Sequence, residues 1–462
     1  MFIFPLLYIS AFFSAIRDIL SKNPQGGLSF LIFGLPIYNT TLSILYELGF
    51  KSYIPLFQPL KEVVILAMLI SVIWTLKEKI RFHVIDYCIM GYFLYTFLYV
   101  LLPIGSFSIP EKLLAFKSTS FFVLIYLTAR LINPKLVYIK KYFHYLLIVA
   151  IAAAALVLYE VITDQHFQSH TGYSEYVYYF FGQEQEGNYG LTWTFERSES
   201  GVKRFASFFS DPLEHASATL ITLAVIAGLF TDKNNNLTIS KLGGAAILAS
   251  LISIIFSISR SSLMSYFIII YVYALITGKK NFILACNLFI LMVMLYVTYI
   301  LADKDIYTYI VSTLTLQDDS GMGHLIAWIE GLEAIISNPL GLGLGASGRV
   351  AASLGTTIGG ENQFIVLGVQ VGIVAVLLYI FIHFALIVYS YKWFKYLEGK
   401  EKTVALTLFL LKTGSTLPLI TANLDSYSYI TYITWFLAGL FVNIIMRKGS
   451  PSNQVNLKSY VQ

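Results

Sequence analysis

The chain has 462 residues, of which 57% are hydrophobic and 12% charged, with a net charge of +5 and a mean hydropathy of +0.71. A soluble globular domain carries about 25% charged residues, so that class is excluded. Apolar runs recur from end to end and are continuous rather than alternating, which excludes a β-barrel and predicts helices that span a bilayer.

Thirteen spans are predicted, near 2–16, 28–46, 60–76, 83–102, 113–131, 143–162, 212–231, 242–258, 261–278, 281–301, 362–391, 403–421 and 428–446. The first lacks a basic leader and a small-residue cleavage site, so it reads as a retained, short helix. Without it the count is twelve. The fold class is therefore all-α, a polytopic bundle in five parts. These are N-terminal helices (1–162), a long loop (163–211), central helices (212–301), a second long loop (302–361), and C-terminal helices with a tail (362–462). Cys88 and Cys286 lie inside apolar runs and offer no disulfide framework or metal-ligand spacing. No repeat and no nucleic-acid motif is present.

Cations collect in alternate connectors: Arg17 and Lys22; Lys77, Lys79 and Arg81; Lys135, Lys140 and Lys141; Lys233 and Lys241; Lys279 and Lys280; Lys392, Lys395, Lys400 and Lys402; and Arg447–Lys448. The positive-inside rule makes these connectors and the C-terminus cytoplasmic. The N-terminus and both long loops are then outside. The loops are acidic, with Asp164, Glu175, Glu184, Glu186, Glu196 and Glu199 in the first and Asp303, Asp305, Asp318 and Asp319 in the second. Loops of this length are usually lids or binding loops. Tyr173, Tyr176, Tyr178, Tyr179, Phe180, Phe181, Tyr189 and Trp193 in the first suit either stacking on sugars or an interfacial aromatic belt.

Arginines on the outer side are exceptions to the charge rule. Arg204 lies in RFASFFSDPLEHA, where Asp211-Pro212 suits a helix start. Arg260 sits in SISRSSL between two closely spaced spans, and Arg349 follows NPLGLGLGASG. The guanidinium fork suits two-point contact with phosphate oxygens, and the alternative for each is an ion pair with a nearby carboxylate. Lys412, in the middle of a span, is a candidate intramembrane site or half of an internal ion pair. The segment GHLIAWIEGLEAIISNP predicts an amphipathic helix. Leu325, Trp328, Ile329, Leu332, Ile335 and Ile336 share its apolar face, and His324, Glu330 and Glu333 are its polar landmarks.

These pieces, in this order, resemble the O-antigen ligase and polymerase superfamily of bacterial membrane glycosyltransferases. The family's Arg-x-x-Gly-(x)4-Pro element is matched by Arg204 to Pro212, with Ser207 at the glycine position. Its Ser-Arg pair at a hairpin tip is matched by Ser259-Arg260, and its Pro-x-Gly-x-Gly ending by Pro339 to Gly343. A polar pair followed by glycine is matched by Glu361-Asn362 and Gly372. Where the family has arginine this chain has His324, and where ligases have histidine it has Glu361. The detailed match covers about 200–390.

The resemblance implies a fold of the GT-C type and a donor glycan on undecaprenyl diphosphate at the outer face of the inner membrane. The acceptor would be a second lipid-linked repeat unit in a polymerase, or lipid A–core in a ligase. A chain-length regulator and a flippase are implied partners, while no cofactor, metal or nucleotide sugar is expected. Arg204, Arg260 and Arg349 would bind the diphosphate, and Glu361 or His324 would accept the acceptor's proton. A lipid-linked oligosaccharide flippase is the competing class. It would be expected to line a central cavity with charge, which Lys412 alone does not do.

Overall fold

The computed structural model describes residues 2–76, 79–197, 201–300, 319–353 and 357–449. Lys77, Glu199, Asp303, Asp305 and Asp318, assigned above to connectors and loops, lie outside the described residues. The chain runs α1 (Ile3–Leu20), α2 (Gly27–Phe33), α3 (Tyr38–Glu47), α4 (Ile54–Phe57), α5 (Leu60–Thr75), α6 (Val84–Leu101), α7 (Ile109–Ser120), α8 (Phe122–Leu131) and α9 (Ile139–Thr163). The first long loop holds α10 (Tyr173–Phe181) and a small ribbon, in which β1 (Glu196–Arg197) pairs antiparallel with β2 (Val202–Lys203). Then come α11 (Pro212–Phe230), α12 (Lys241–Ser257), α13 (Arg260–Thr277), α14 (Lys280–Ile300), α15 (Asp319–Ser337), α16 (Gly348–Ser353), α17 (Gln363–Phe394), α18 (Gly399–Thr421) and α19 (Ser428–Lys448).

Among the described residues, nine helices are long and apolar enough to cross a membrane. Two more spans are bent pairs: residues 24–33 meet α3 at 65°, and α7 meets α8 at 49°. Pro36 stands in the first break, where it supplies no backbone donor to continue the helix. With the shorter apolar helices α12 and α14, these elements coincide with all thirteen predicted segments. The helices outrun the apolar runs at the basic connectors. Arg17, Lys140, Lys141, Lys241, Lys280, Lys392, Lys400, Lys402, Arg447 and Lys448 are all helical, because long cationic side chains reach water, or in Lys400 and Lys402 the acceptors of a neighbouring connector, from a helix end.

The middle of the bundle is α19, 94% buried over its apolar window, with α11 at 78% and α18 at 72%, against 22% for α1 at the rim. α19 packs along α8, where Phe122 stacks on Trp435 at 4.1 Å. α18 lies against α11, α13 and α17. Connectors predicted to share a side meet in space. At one end, the basic end, Lys400 donates to the carbonyls of Pro134 and Lys135, and Lys402 to those of Asp232 and Lys233. Lys448 pairs with Glu401 there. At the other, the loop end, Arg349 of the second long loop pairs with Asp211 of the first.

α15 differs from its predicted single apolar face. Trp328 and Ile335 pack toward Ile365 and Val369 of α17, whereas Ile329, Leu332 and Ile336 are exposed. Six apolar residues make too wide a stripe for one neighbour, so half of it faces away from the bundle.

Candidate functional site

The site begins with the start of α11. Asp211 caps this helix, its Oδ1 accepting from the amides of Leu213 (2.9 Å) and Glu214 (2.8 Å). Its Oδ2 accepts from the Arg349 guanidinium at 2.8 Å. Arg349 also lies over the Tyr427 ring, 4.4 Å from its centroid, and its side chain is still 48% exposed. It therefore remains able to meet a ligand. One turn into α11, the Glu214 carboxylate accepts from the Ser210 amide (3.3 Å) and hydroxyl.

Arg349 and Glu214 line a cleft of about 540 Å³, together with Lys61 of α5 and Lys117 of α7. Lys61 lies over the Tyr38 ring at 4.1 Å, and Lys117 pairs with Glu62 at 3.1 Å. Phe181 brings the end of α10 to the rim, and Asn39, Gln58, Ser426 and Ser428 add neutral polar groups. A smaller cavity of about 170 Å³ shares Lys61, Lys117, Ser426 and Ser428 and adds Glu62 and Asp425. Three cations against one carboxylate in the larger chamber suit an anion with several oxygens.

Behind the cleft, Lys412 is buried with its ammonium 3.9 Å from the Trp435 ring centroid, and it faces the charge of Asp425. Burial pushes the Asp425 carboxyl up, against the pull of Tyr379 and Lys412. The partner that the geometry gives Lys412 is the face of the Trp435 ring. Burial, reinforced by Asp211, likewise holds the Tyr427 phenol well above its ordinary value, so Arg349 rests on a neutral ring.

Arg349 is positioned by an interlock within the bundle. Gly372 interrupts α17 with φ 78° and ψ 178°, nine residues and about 14 Å from the helix start. The chain from Pro339 to Gly345 fills the break. Ile373 donates to the Pro339 carbonyl (3.0 Å), Leu342 to Val369 (2.7 Å), Gly343 to Gln370 (3.0 Å) and Gly345 to the Gln370 side chain (3.0 Å). Tyr99 donates to the Leu340 carbonyl at 2.5 Å. Irregular backbone at membrane depth must be satisfied by protein in this way. A Cβ on Gly372 would stand 2.4 Å from the Pro339 oxygen, and one on Gly341 2.7 Å from the Gly372 nitrogen, so both must be glycine. Two motifs separated in sequence thus dock on each other and deliver α16, with Arg349, to the cleft.

Asn362, not Glu361, caps α17, accepting from Phe364 (2.9 Å) and Ile365 (3.3 Å). Glu361 is exposed, and its charge bears on Tyr427 alongside those of Asp211, Arg349 and Glu214. Gly360 rests on Ala327 of α15, one turn after half-buried His324. Arg204 and Arg260 gather elsewhere at the loop end. The amide of Phe205, next to Arg204, donates to the Phe256 carbonyl at 3.0 Å, and Ile258 makes the left-handed turn (φ 47°) into Arg260. Arg204 and Arg260 thus share the α12–α13 tip, and neither lines the 540 Å³ cleft.

Lys61, Lys117, Glu214 and Asp425 were missed from sequence. The lysines carry the signal used for the arginines, cations at the outer ends of spans, but only arginines were weighed. Glu214 stands three residues after its cap, as a capping-box acid does.

Residues 245–380 match a family model described as O-antigen ligase. The matched stretch runs from α12 into α17 and includes Arg260, His324, Arg349, Glu361 and the interlocked glycines. No curated protein matches the chain. Over residues 245–380 the chain is thus similar to the O-antigen ligase family, in line with its resemblance to the O-antigen ligase/polymerase superfamily.

Proposed function

We propose that this protein is a membrane glycosyltransferase that polymerises undecaprenyl-diphosphate-linked repeat units at the periplasmic face of the bacterial inner membrane. The observation that carries this reading is the convergence of Arg349, Lys61 and Lys117, from three different elements, on one cleft at the loop end. In the transfer, an acceptor hydroxyl attacks the anomeric carbon of the donor. The bond from that carbon to the diphosphate oxygen breaks, and the diphosphate leaves with the electron pair. Fixed cations stabilise the charge that builds there, more strongly where water is scarce. Arg349, Lys61 and Lys117 take this role in the cleft, with Arg204 and Arg260 at the neighbouring tip. The hydroxyl proton passes to a basic side chain, and the Glu361 carboxylate is our choice, with the Glu214 carboxylate and the His324 imidazole as rivals. Direct attack inverts the anomeric centre and requires no metal step.

The diphosphate and the carboxylates compete for the same cations. Asp211 pairs with Arg349 and Glu62 with Lys117, and an arriving diphosphate offers these cations a second anion. The description of the matched family favours a second reading, transfer of finished glycan to lipid A–core by a ligase. The lipid-linked glycan profile of cells lacking the protein separates the two. A single repeat unit on the acceptor means polymerase, with a chain-length regulator and a flippase as partners. Intact but unattached polymer means ligase. Lipid-linked units held on the cytoplasmic leaflet would overturn both in favour of a flippase.

A further inference from the structure

The smaller cavity beside the cleft differs from it in chemistry. It holds about 170 Å³ and lies between the start of α5, the bend from α7 into α8 and the turn into α19. Glu62 and Asp425 line it together with Lys61 and Lys117. Each carboxyl group has one oxygen, Glu62 Oε2 and Asp425 Oδ2, that is buried without a hydrogen-bond partner. The other Glu62 oxygen takes the Lys117 ammonium at 3.1 Å, and the Asp425 carboxyl draws on Tyr379, Trp435 and Thr431. A buried acceptor left unmade costs about 1–3 kcal/mol. The terminal torsion of a carboxylate is soft, so each free oxygen can turn toward a donor in the cavity. The cavity therefore suits a ligand that brings hydroxyl hydrogens.

The other walls suit the rest of such a ligand. Ser118, Ser426, Ser428 and Thr431 contribute hydroxyls, which both donate and accept. Phe121 at the bend and Tyr432 of α19 contribute rings, with centroids 6.0 Å apart. C–H groups of partial positive charge rest well on the negative face of such rings. A pyranose carries hydroxyls at its rim and C–H groups on its faces, and a cavity of this size admits one ring. Two carboxyl groups repel a sugar that brings a carboxylate of its own. Lys61, Lys117, Ser426 and Ser428 belong to both spaces, so a ring seated here lies beside a diphosphate in the cleft. We propose that the cavity is the subsite for a neutral pyranose, the sugar joined directly to the diphosphate. Glu62 and Asp425 accept its hydroxyls, and Phe121 and Tyr432 meet its face. The proposal rests on the donor reading above and makes the first sugar of the donor glycan the one that is selected.

The test uses the full-length protein in neutral detergent and two kinds of probe that need no transfer reaction. Methyl glycosides are titrated by saturation-transfer NMR, in the gluco, galacto, manno, N-acetylgluco and N-acetylgalacto forms, with methyl glucuronide and methyl galacturonide as charged counterparts. Inorganic pyrophosphate, titrated by calorimetry on the same preparation, reports on the cleft. At least one neutral glycoside is expected to bind, and no uronide to bind more tightly. Asp425→Asn and Glu62→Gln should each weaken that binding by about tenfold or more, as the loss of a hydrogen bond to a charged group does. Asp164→Asn, which removes a carboxylate paired with Lys203 outside the cavity, should not. Glu62→Gln carries the test if a melting curve shows that Asp425→Asn does not fold. Binding of no neutral glycoside, tighter binding of a uronide, unchanged affinity in the folded variants, or an equal loss in Asp164→Asn would overturn the proposal. Pyrophosphate bound without any glycoside removes the subsite and leaves the cleft reading intact. A glycoside bound without pyrophosphate supports the subsite and counts against a diphosphate in the cleft.

Discussion

Lysines do different work at the two ends of the bundle. At the basic end, Lys402 directs its ammonium at three acceptors in one connector, the carbonyls of Asp232 and Lys233 (both 3.0 Å) and the Asn235 side chain (2.8 Å). An ammonium has three donors, so all are taken up in holding the chain. At the loop end, Lys117 meets a single carboxylate and Lys61 a ring face. Arg349 divides itself between Asp211 and Tyr427. A cation held by an aromatic face is kept in place without exhausting its donors. The difference teaches that the partner, rather than the residue type, separates a structural cation from one that can meet a ligand.

The comparison breaks outright if the two ends are assigned to the wrong sides. Single cysteines at 183 and 398, labelled in sealed cells with an impermeant reagent, are expected to react only at 183. Labelling at 398 with protection at 183 would reverse the sidedness and remove a periplasmic transfer reaction. Position 318, a natural third probe in the second loop, lies outside the described residues.

The next largest effect concerns the proton acceptor. Glu361→Gln keeps shape and hydrogen bonding but loses basicity, and product is expected to fall by roughly 100-fold or more with donor binding nearly intact. Asn362 already caps α17, so the loss would not be that of a cap. If Glu361→Gln transfers normally and Glu214→Gln is inactive, the base lies inside the cleft on α11. If only His324→Ala is inactive, the role passes to α15.

Arg349→Ala should lower product formation by about tenfold, because the leaving diphosphate loses a charge-assisted, two-point contact, the half-exposed side chain keeping the loss at the low end. Arg349→Lys should restore only part, since lysine loses the fork. Arg204→Ala and Arg260→Ala are expected to act in the same direction. They sharpen the picture. If they match Arg349→Ala, the diphosphate reaches from the cleft to the α12–α13 tip. If they are silent while Arg349→Ala is not, the cleft alone holds it.

Much of this was legible in the sequence, and the part that was not escaped for physical reasons. Spans are legible because twenty apolar residues in a row have few alternatives in water. Even so, the bends at Pro36 and Phe121 disappear in a hydropathy profile, which averages over them. The motif residues Arg349 and Gly372 were visible singly. Their coupling was not, since it depends on backbone hydrogen bonds between Pro339–Gly345 and Val369–Ile373. Lys61 and Lys117 escaped for another reason. Each stands at the mouth of a span where a lysine ordinarily reaches for water, and only the fold shows that both point into the space shared with Arg349.

Lys402 supplies the structural counterpart. Lys402→Met should leave product per folded molecule unchanged and lower thermal stability. The carbonyls it leaves behind belong to exposed residues that water can reach, so the loss should stay below the about 1–3 kcal/mol of a fully buried unsatisfied group. A melting curve in detergent measures this. An Lys402→Met protein as stable as wild type would remove the structural assignment of the basic end.

The smallest expected effect is local and depends on pH. His166 of the first long loop is buried among Tyr189, Phe195 and Phe205, with ring centroids 5.3–5.4 Å away. Burial, reinforced by the charge of Lys203, pushes its pKa down to about 4. An unfolded loop would bind a proton near the ordinary value of about 6.5. Between these two values the unfolded form holds more protons than the folded one, so loop stability rises with pH. It is complete above about 6.5 and declines as pH falls toward 4. The connector at the basic end lacks this sensitivity near neutrality, because Asp232 is held below its ordinary value by hydrogen bonds, first from Asn236, and Lys402 supports it through carbonyls. Protease cleavage between 164 and 203 should therefore speed up on going from pH 7.5 to pH 5, while cleavage between 232 and 236 should not. His166→Phe keeps a ring among rings and removes the titrating group, so the acceleration should vanish. An undiminished acceleration in His166→Phe would assign the pH response of the loop to another group.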